Sequence, residues 1–512
     1  MALDSILLLG AIVLLVAIGS SRLGARLGLP ALILFLAIGM GVASLGFPLK
    51  DADLAHALGF AALVVILYEG GITTRWQDIQ RSLPMATLLA TVGVLVSIFL
   101  VGAFGYIALG MPLSLALLFG AITAPTDSAA VFSVLRRVPL PARLRATLEA
   151  ESGLNDAPVV LLVSAATSLA VGTSHVSGLP VTLVLIVGEF LGGIALGVAL
   201  GWLGAMGLRR IALPSSGLYP LAAMAWAVFA YGIGTTLHLS GFAAVYTCAV
   251  VLGNASLPHR MATRSFAEGL GWVAQIGLFV MLGLLANPAA ITLGEIGFGI
   301  AAGLFLTFVA RPVSVFVCAV WFRMPWREQA FLSWAGLRGA VPIILATVPM
   351  AAGLTGSGHL FNVVIVFVVV FTLLQAPTLP WSARVLGLTE GVPDDVEVEV
   401  APLDRIQADM MQVTVPDGSH LAGLEIIELR LPRTAVVSLI VRDGESIVPA
   451  PTTRIMIGDA LLIVTSKQVR VQTEERLRVL GRGGRLARWN HASDTPAPRP
   501  RRMPKLFRLP GP

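Results

Sequence analysis

The chain has 512 residues, of which 56% are hydrophobic and only 12% charged, and its mean hydropathy is +0.85. Soluble domains carry about 25% charged residues, so most of this chain must sit in lipid. The net charge of +6 does not point to nucleic acid, because the basic residues fall in loops and in the C-terminal tail, and two cysteines in apolar runs, Cys248 and Cys318, exclude a disulfide framework.

Taken in chain order, apolar stretches of spanning length recur about thirteen times. They run approximately over 4–20, 30–47, 54–71, 84–110, 112–135, 146–170, 181–208, 217–236, 240–255, 266–286, 294–322, 328–351 and 360–386. Residues 6–18 lead directly into a spanning pattern with no basic segment before them, which reads as a first span rather than a cleaved leader. Arginines cluster in every second loop: Arg22 and Arg26, Arg75 and Arg81, Arg136 to Arg145, Arg209 and Arg210, Arg260 and Arg264, Arg323 and Arg327. The alternate loops are almost free of them, Lys50 being the exception. The positive-inside rule then puts the N-terminus outside and the C-terminus in the cytoplasm of a cell (inner) membrane. The fold class expected for 1–386 is an all-α polytopic membrane domain.

Beyond it, 387–403 reads as an acidic linker and 404–480 as a small cytoplasmic α+β domain. Strand patterns lie at 411–415, 435–441 and 460–465, Asp443-Gly444 is a hairpin signal, and 421–430 and 468–480 read as helices. The rest, 481–512, is rich in Pro and Arg and too poor in apolar residues to fold, so disorder is expected. Its arginines suit anionic lipid.

Ionisable groups at membrane depth are costly and therefore point to function. Asp127 lies mid-span in Ile122-Thr-Ala-Pro-Thr-Asp-Ser128, where Pro125 removes a backbone donor and breaks the helix. Freed carbonyls beside a carboxylate make a hard oxygen site, as broken helices do in transporters; a proline kink without a ligand is the alternative. A second interruption, Gly336-Leu-Arg-Gly-Ala-Val-Pro342, falls in the twelfth span. Two broken spans seven apart fit an inverted repeat, spans four to six against eleven to thirteen. Arg338 then needs a buried carboxylate, for which Glu151 is the candidate.

Glu151-Ser-Gly-Leu-Asn-Asp156 opens the sixth span, with Ser152 and Asp156 one helical turn apart on one face. Asp156, Asp127, the Ser152 hydroxyl and a Thr126 carbonyl form a cage of oxygens, which suits an alkali cation and argues against zinc or copper. A desolvated carboxylate favours its proton, and a bound cation favours the ionised form, so proton and cation compete for Asp156. Asn155 is neutral, leaving one titratable group in the pair, which predicts one proton for one cation. Arg311, followed by Pro312, reads as a salt-bridge or carbonyl partner. Glu69 reads as a cytoplasmic helix-end residue, and Gly192, Gly193 and Gly197 to Gly204 as helix-packing steps. No phosphate loop, dinucleotide fingerprint, metal-spaced histidines or nucleophile–base pair is present, so neither a cofactor nor an enzyme activity is expected.

The strings Thr123-Ala-Pro-Thr-Asp-Ser128, Glu151-Ser-Gly-Leu-Asn-Asp156 and Gly336-Leu-Arg-Gly339 closely resemble the monovalent cation:proton antiporter-1 family over roughly 1–386. The resemblance implies a thirteen-span homodimer in which a core bundle moves, elevator-like, against a dimerisation bundle. It implies that Asp156 binds cation or proton with help from Asp127, Ser152 and the Thr126 backbone, that Asn155 is structural, and that Glu151 pairs with Arg338. Ser128 departs from the family, where proline is common. Residues 404–480 resemble the C-terminal subdomain of regulators of potassium conductance, through Val413-Thr-Val-Pro-Asp-Gly-Ser419 and Ile457-Gly-Asp-Ala-Leu-Leu-Ile463. That implies a dimerising domain open to a small cytoplasmic ligand such as a nucleotide. The expected function is electroneutral K+/H+ antiport under control of this domain. Na+/H+ antiport at the same site and a ligand-gated cation channel are the alternatives.

Overall fold

The computed structural model describes residues 3–27, 30–49, 51–127, 140–172, 179–389, 398–403, 408–466 and 468–483. Part of the fifth expected span, Ser128, the acidic residues 390–397 and the tail from 484 lie outside the described residues. The chain divides into two compact units, Met1–Glu390 and Gly391–Pro512.

The first unit is helical. Among the described residues, eight helices are long and apolar enough to cross a membrane, and five shorter apolar helices accompany them. In chain order the helices are α1 (Leu3–Leu27), α2 (Ala31–Ser44), α3 (Ala52–Thr73), α4 (Trp76–Ile79), α5 (Leu83–Ile107), α6 (Leu113–Thr123), α7 (Ala142–Val171) and α8 (Leu179–Arg210). They continue with α9 (Leu218–Thr236), α10 (Gly241–Asn254), α11 (Arg260–Leu285), α12 (Leu293–Phe322), α13 (Trp326–Trp334), α14 (Ala340–Ala351) and α15 (Ser357–Val385). Local chemistry sets several starts. Asp51 caps α3 by accepting from Leu54 N at 3.0 Å, Ser240 caps α10, and Thr292 with Glu295 forms a capping box on α12.

Packing sorts the helices into two groups. One gathers α1, α2, α3 and α8 to α11; the other gathers α5, α6, α7 and α12 to α15. Gly193, Gly197 and Gly201 bring α8 against the backbone of Ser240, Ala244 and Cys248, so the small-residue steps serve helix packing as expected. Across the boundary α3 meets α14, and α7 meets α8 and α10. Within the second group, α5 and α12 each carry one π-helical turn, Leu89–Gly93 and Leu306–Ala310. Each is followed in the chain by a short helix: α6, which is apolar, gives way to unwound backbone at 124–127, and α13, which carries Arg327 and Glu328, to unwound backbone at 336–339. Exposed tryptophans stand beside the arginine-bearing ends: Trp76 next to Arg75, Trp321 and Trp326 about Arg323 and Arg327, and Trp381 near Arg384. That is where an aromatic belt at a membrane interface belongs.

The second unit holds a five-stranded sheet in the order β1-β2-β5-β3-β4: β1 (Val398–Leu403), β2 (Ala408–Thr414), β3 (Ala435–Arg442), β4 (Glu445–Ile447) and β5 (Ala460–Ser466). All neighbouring strands are antiparallel. The helix α16 (Arg470–Gly483) supplies Leu477 and Leu480 to a core with Met411, Val413, Ile440 and Ile463. The β3–β4 hairpin turns at Asp443-Gly444, both with positive φ, as that dipeptide predicts. Two expectations change. The stretch read as linker contains β1, which pairs with β2 from Val398↔Val413 to Leu403↔Ala408. The stretch read as a helix at 421–430 holds only a 3-10 turn, Ile426–Leu429. Its residues bond to the loop before β5 instead, through Gly423 N to Ile455 O and Ile426 N to Thr453 O, and that tertiary pairing replaces helical bonding.

Asp459 is fully buried and is gripped by Arg442, whose Nε and Nη2 donate to its two oxygens at 2.7 and 2.8 Å, while Met456 N donates at 2.8 Å. Burial alone would raise the carboxyl, but the hydrogen bonds from Arg442 and Met456 and the Arg442 charge outweigh it, and the pKa falls below the ordinary value. A lowered folded pKa contributes stability above the unfolded pKa that disappears as pH falls through the folded one. Arg442→Ala should therefore cost the 398–483 unit about 2–3 kcal/mol at neutral pH in denaturant titrations, with the difference shrinking below about pH 4.

Candidate ion site

Charge placement in the second helical group begins with two interrupted helices. Pro125 cannot continue the ladder of α6, and Gly336 and Gly339 flank the break before α14. The two unwound segments meet: Asp127 N donates to Leu337 O at 2.9 Å, and Ala340 N donates to Asp127 Oδ2 at 3.2 Å. Ala340 is the first residue of α14, so the Asp127 carboxylate sits at a helix N-terminus, where the peptide dipoles favour negative charge. Glycine at 339 is required there, since a Cβ would collide with the Asp127 carboxylate.

The helix α7 supplies the other side. Asn155 Nδ2 donates to Thr126 Oγ1 at 2.8 Å, and the Ser152 and Thr126 hydroxyls lie 3.2 Å apart. Asn155 thus ties α7 to the first break. Thr126, Asp127, Ser152, Asn155 and Asp156 are all buried, with Asp127 and Asp156 each 8% exposed. Among the described residues, Asp156 Oδ1 and Asn155 Oδ1 are buried without a hydrogen-bond partner. The structure therefore brings the four expected oxygen-bearing residues to one place, with unspent acceptor capacity on Asp156. An array of carboxylate, hydroxyl and amide oxygens is chemically suited to an alkali cation as cargo.

The supporting charges are arranged differently from expectation. Glu151 does not pair with Arg338. Arg311 takes both its oxygens, Nη1 to Oε1 at 2.6 Å and Nη2 to Oε2 at 2.9 Å, and both side chains are buried. A bidentate fork leaves Glu151 satisfied. Arg338 turns to carbonyls instead, those of Gly336 and Thr123. These carbonyls lie at the helix interruptions, and they supply partial negative charge to a buried cation. Thr372 Oγ1 donates to Arg338 O at 2.6 Å and holds the break from α15. Glu151 on one span and Arg311 and Arg338 on two others imply an ion pair, but chain order cannot choose the partner. Elsewhere, Glu69 lies against Gly271 of α11, and Ser240 N donates to Glu189 O.

Two interrupted helices crossing at a buried carboxylate, inside a bundle of spanning helices, define a secondary ion transporter. The sequence matches the family model described as sodium/hydrogen exchanger, transmembrane, over residues 10–385, and the TrkA-C domain over 410–477. The chain belongs to the sodium/hydrogen exchanger family, whose members are cation/proton antiporters and not enzymes. Curated relatives include the K(+)/H(+) antiporter NhaP of Alkalimonas amylolytica, 34% identical over 90% of this chain and 81% of its own. The K(+)/H(+) antiporter NhaP2 of Shewanella baltica is 32% identical over the same shares. The Na(+)/H(+) antiporter ApNhaP of Aphanothece halophytica is 29% identical over 70% of each chain. Among solved structures, the sodium proton antiporter MjNhaP1 of Methanocaldococcus jannaschii shares the fold, with a TM-score of 0.64 and 23% identity over 75% of this chain and 99% of that one.

Removing Arg311 leaves Glu151 buried and unpaired. Arg311→Ala should cost about 3–5 kcal/mol, seen as a large fall in the melting temperature of the detergent-purified protein, and Glu151→Gln in the same chain should recover part of it. Arg338→Ala should cost less, because the groups it leaves behind are carbonyls.

Proposed function

We propose that the protein exchanges K+ for H+ one for one through Asp156, under control of its TrkA-C domain. The observation that carries the site assignment is the buried, unpartnered Oδ1 of Asp156 beside Thr126, Asp127 and Ser152. A carboxylate that moves through a low-dielectric bundle is costly while ionised and alone, and either a proton or a cation removes that cost. The two loaded forms then carry the same net charge, because Asn155 does not titrate and Asp156 exchanges one proton for one cation. Ser152 and the Thr126 backbone complete the oxygen set.

Support for potassium comes from the two-part layout. The relatives named as K+/H+ antiporters align over 90% of this chain, beyond the transmembrane family match, whereas the relative named as a Na+/H+ antiporter aligns over 70%. Sodium at the same site is the second reading, favoured by that relative. The reading places the transporter as a homodimer in the cell membrane, with the N-terminus outside and the TrkA-C domain in the cytoplasm. The alternation of arginine-bearing loops supports that orientation. A small ligand of the cytoplasm, nucleotide included, would act on the TrkA-C domain.

The test uses purified protein in vesicles with an internal pH dye. K+ added outside should drive proton efflux at a rate independent of a clamped membrane voltage, and Na+ should drive it less. Asp156→Asn should reduce the flux to that of empty vesicles while the protein stays monodisperse. Exchange retained in Asp156→Asn would refute the site, and a strong voltage dependence would refute the one-for-one ratio.

A further inference from the structure

One buried-side carboxylate has no part in the site as described. Glu149 lies seven residues before Asp156 on α7, and seven residues is close to two full turns, so both project from one face, about 10 Å apart along the axis. Glu149 is half-buried, and α7 runs from the arginine-bearing end, Arg143 and Arg145, toward Asp156. It therefore occupies the same face on the side of the arginine-rich loops.

One side chain of the other helical group packs on α7 at a position between Glu149 and Asp156 in the chain. Tyr246 of α10 packs its hydroxyl on Gly153, where an added Cβ would lie only 2.5 Å from it. Gly153 stands one turn after Glu149 and less than one before Asp156. Tyr246 is itself buried, so its hydroxyl meets α7 inside the bundle. It also borders a small cavity between α7, α8 and α10, together with Gly153 and Ala157. Glycine at 153 is thus explained by the neighbouring hydroxyl. The charges facing Glu149 are Arg145, one turn back on α7, and Asp78 of the exposed helix α4.

We infer that Glu149 is a positioning residue for exchange: a carboxylate that collects the cation or proton on the cytoplasmic side and presents it to Asp156 past the Tyr246 hydroxyl. A half-buried negative charge on the approach raises the local concentration of either cargo, and low-dielectric walls strengthen its field. This inference rests on Asp156 being the exchange site. The simpler role, a structural partner of Arg145, would affect folding but not transport constants.

The experiment uses full-length protein in vesicles of known orientation, with K+ or protons varied on the cytoplasmic face. Glu149→Gln should raise the apparent KM for K+ on that face by about tenfold and leave the opposite face unchanged. The loss of one negative charge weakens attraction for protons too, so the acid-side half-maximum should move to lower pH. Glu149→Asp should restore most of both, because a collecting role needs only a carboxylate. Wild-type KM and pH profile in Glu149→Gln would overturn the inference, as would equal loss in the Gln and Asp variants. A changed melting temperature with unchanged KM would assign Glu149 to Arg145 instead. If Asp156→Asn still exchanges, the underlying site assignment fails; if it is inactive while Glu149→Gln matches wild type, only this inference fails.

Discussion

Every charge buried in the transmembrane unit has to be compensated from inside the bundle, and the rest of the structure follows from how that is done. Water cannot solvate Glu151, Arg311, Arg338, Asp127 or Asp156 at their depth. The protein uses three separate means. Glu151 and Arg311 neutralise each other through a bidentate fork. Arg338 is held by carbonyls at the interrupted helices, and Asp127 by the N-terminus of α14. Arg311 Nε and Arg338 Nη2 are buried nitrogens without a partner, and Asp156 keeps a buried carboxylate oxygen without one. Compensation there is left to the cargo.

The interruptions are what make this arrangement possible. A continuous helix spends its carbonyls and N–H groups internally. Breaking α6 and the α13–α14 pair frees backbone groups at the depth where they are needed. The segments then satisfy one another, as Asp127 N does with Leu337 O. Gly339 allows the close approach, and Asn155 and Thr372 lock the breaks from α7 and α15. Substitutions at these positions act on the geometry of the crossing, even where they remove no ligand.

The cytoplasmic unit follows a different logic. It has its own sheet and core, and its fully buried Asp459 is satisfied by Arg442 and Met456. That is a structural use of charge, in contrast to the open valence on Asp156.

Much of the protein was legible in the chain. Spanning runs, the arginine alternation, Pro125, the Glu151–Asp156 string and the Asp443-Gly444 turn each act locally, through a period, a missing donor or a turn preference. They sufficed for a polytopic helical unit, a small α+β unit, two helix breaks and a set of oxygen-bearing residues. What they could not settle was anything decided by an encounter between distant segments. Glu151 had two arginines to choose from, and only the packing of α7 against the neighbouring helices selected Arg311. The strand Val398–Leu403 hid in an acidic stretch because strand propensity is weak until a partner such as β2 is present. The 421–430 stretch gave up helical bonding for pairing with the loop before β5. Sequence alone determined which residues can carry charge or break a helix in lipid; the tertiary structure decided which charges cancel, because a Coulomb partner is set by distance in space and not by position in the chain.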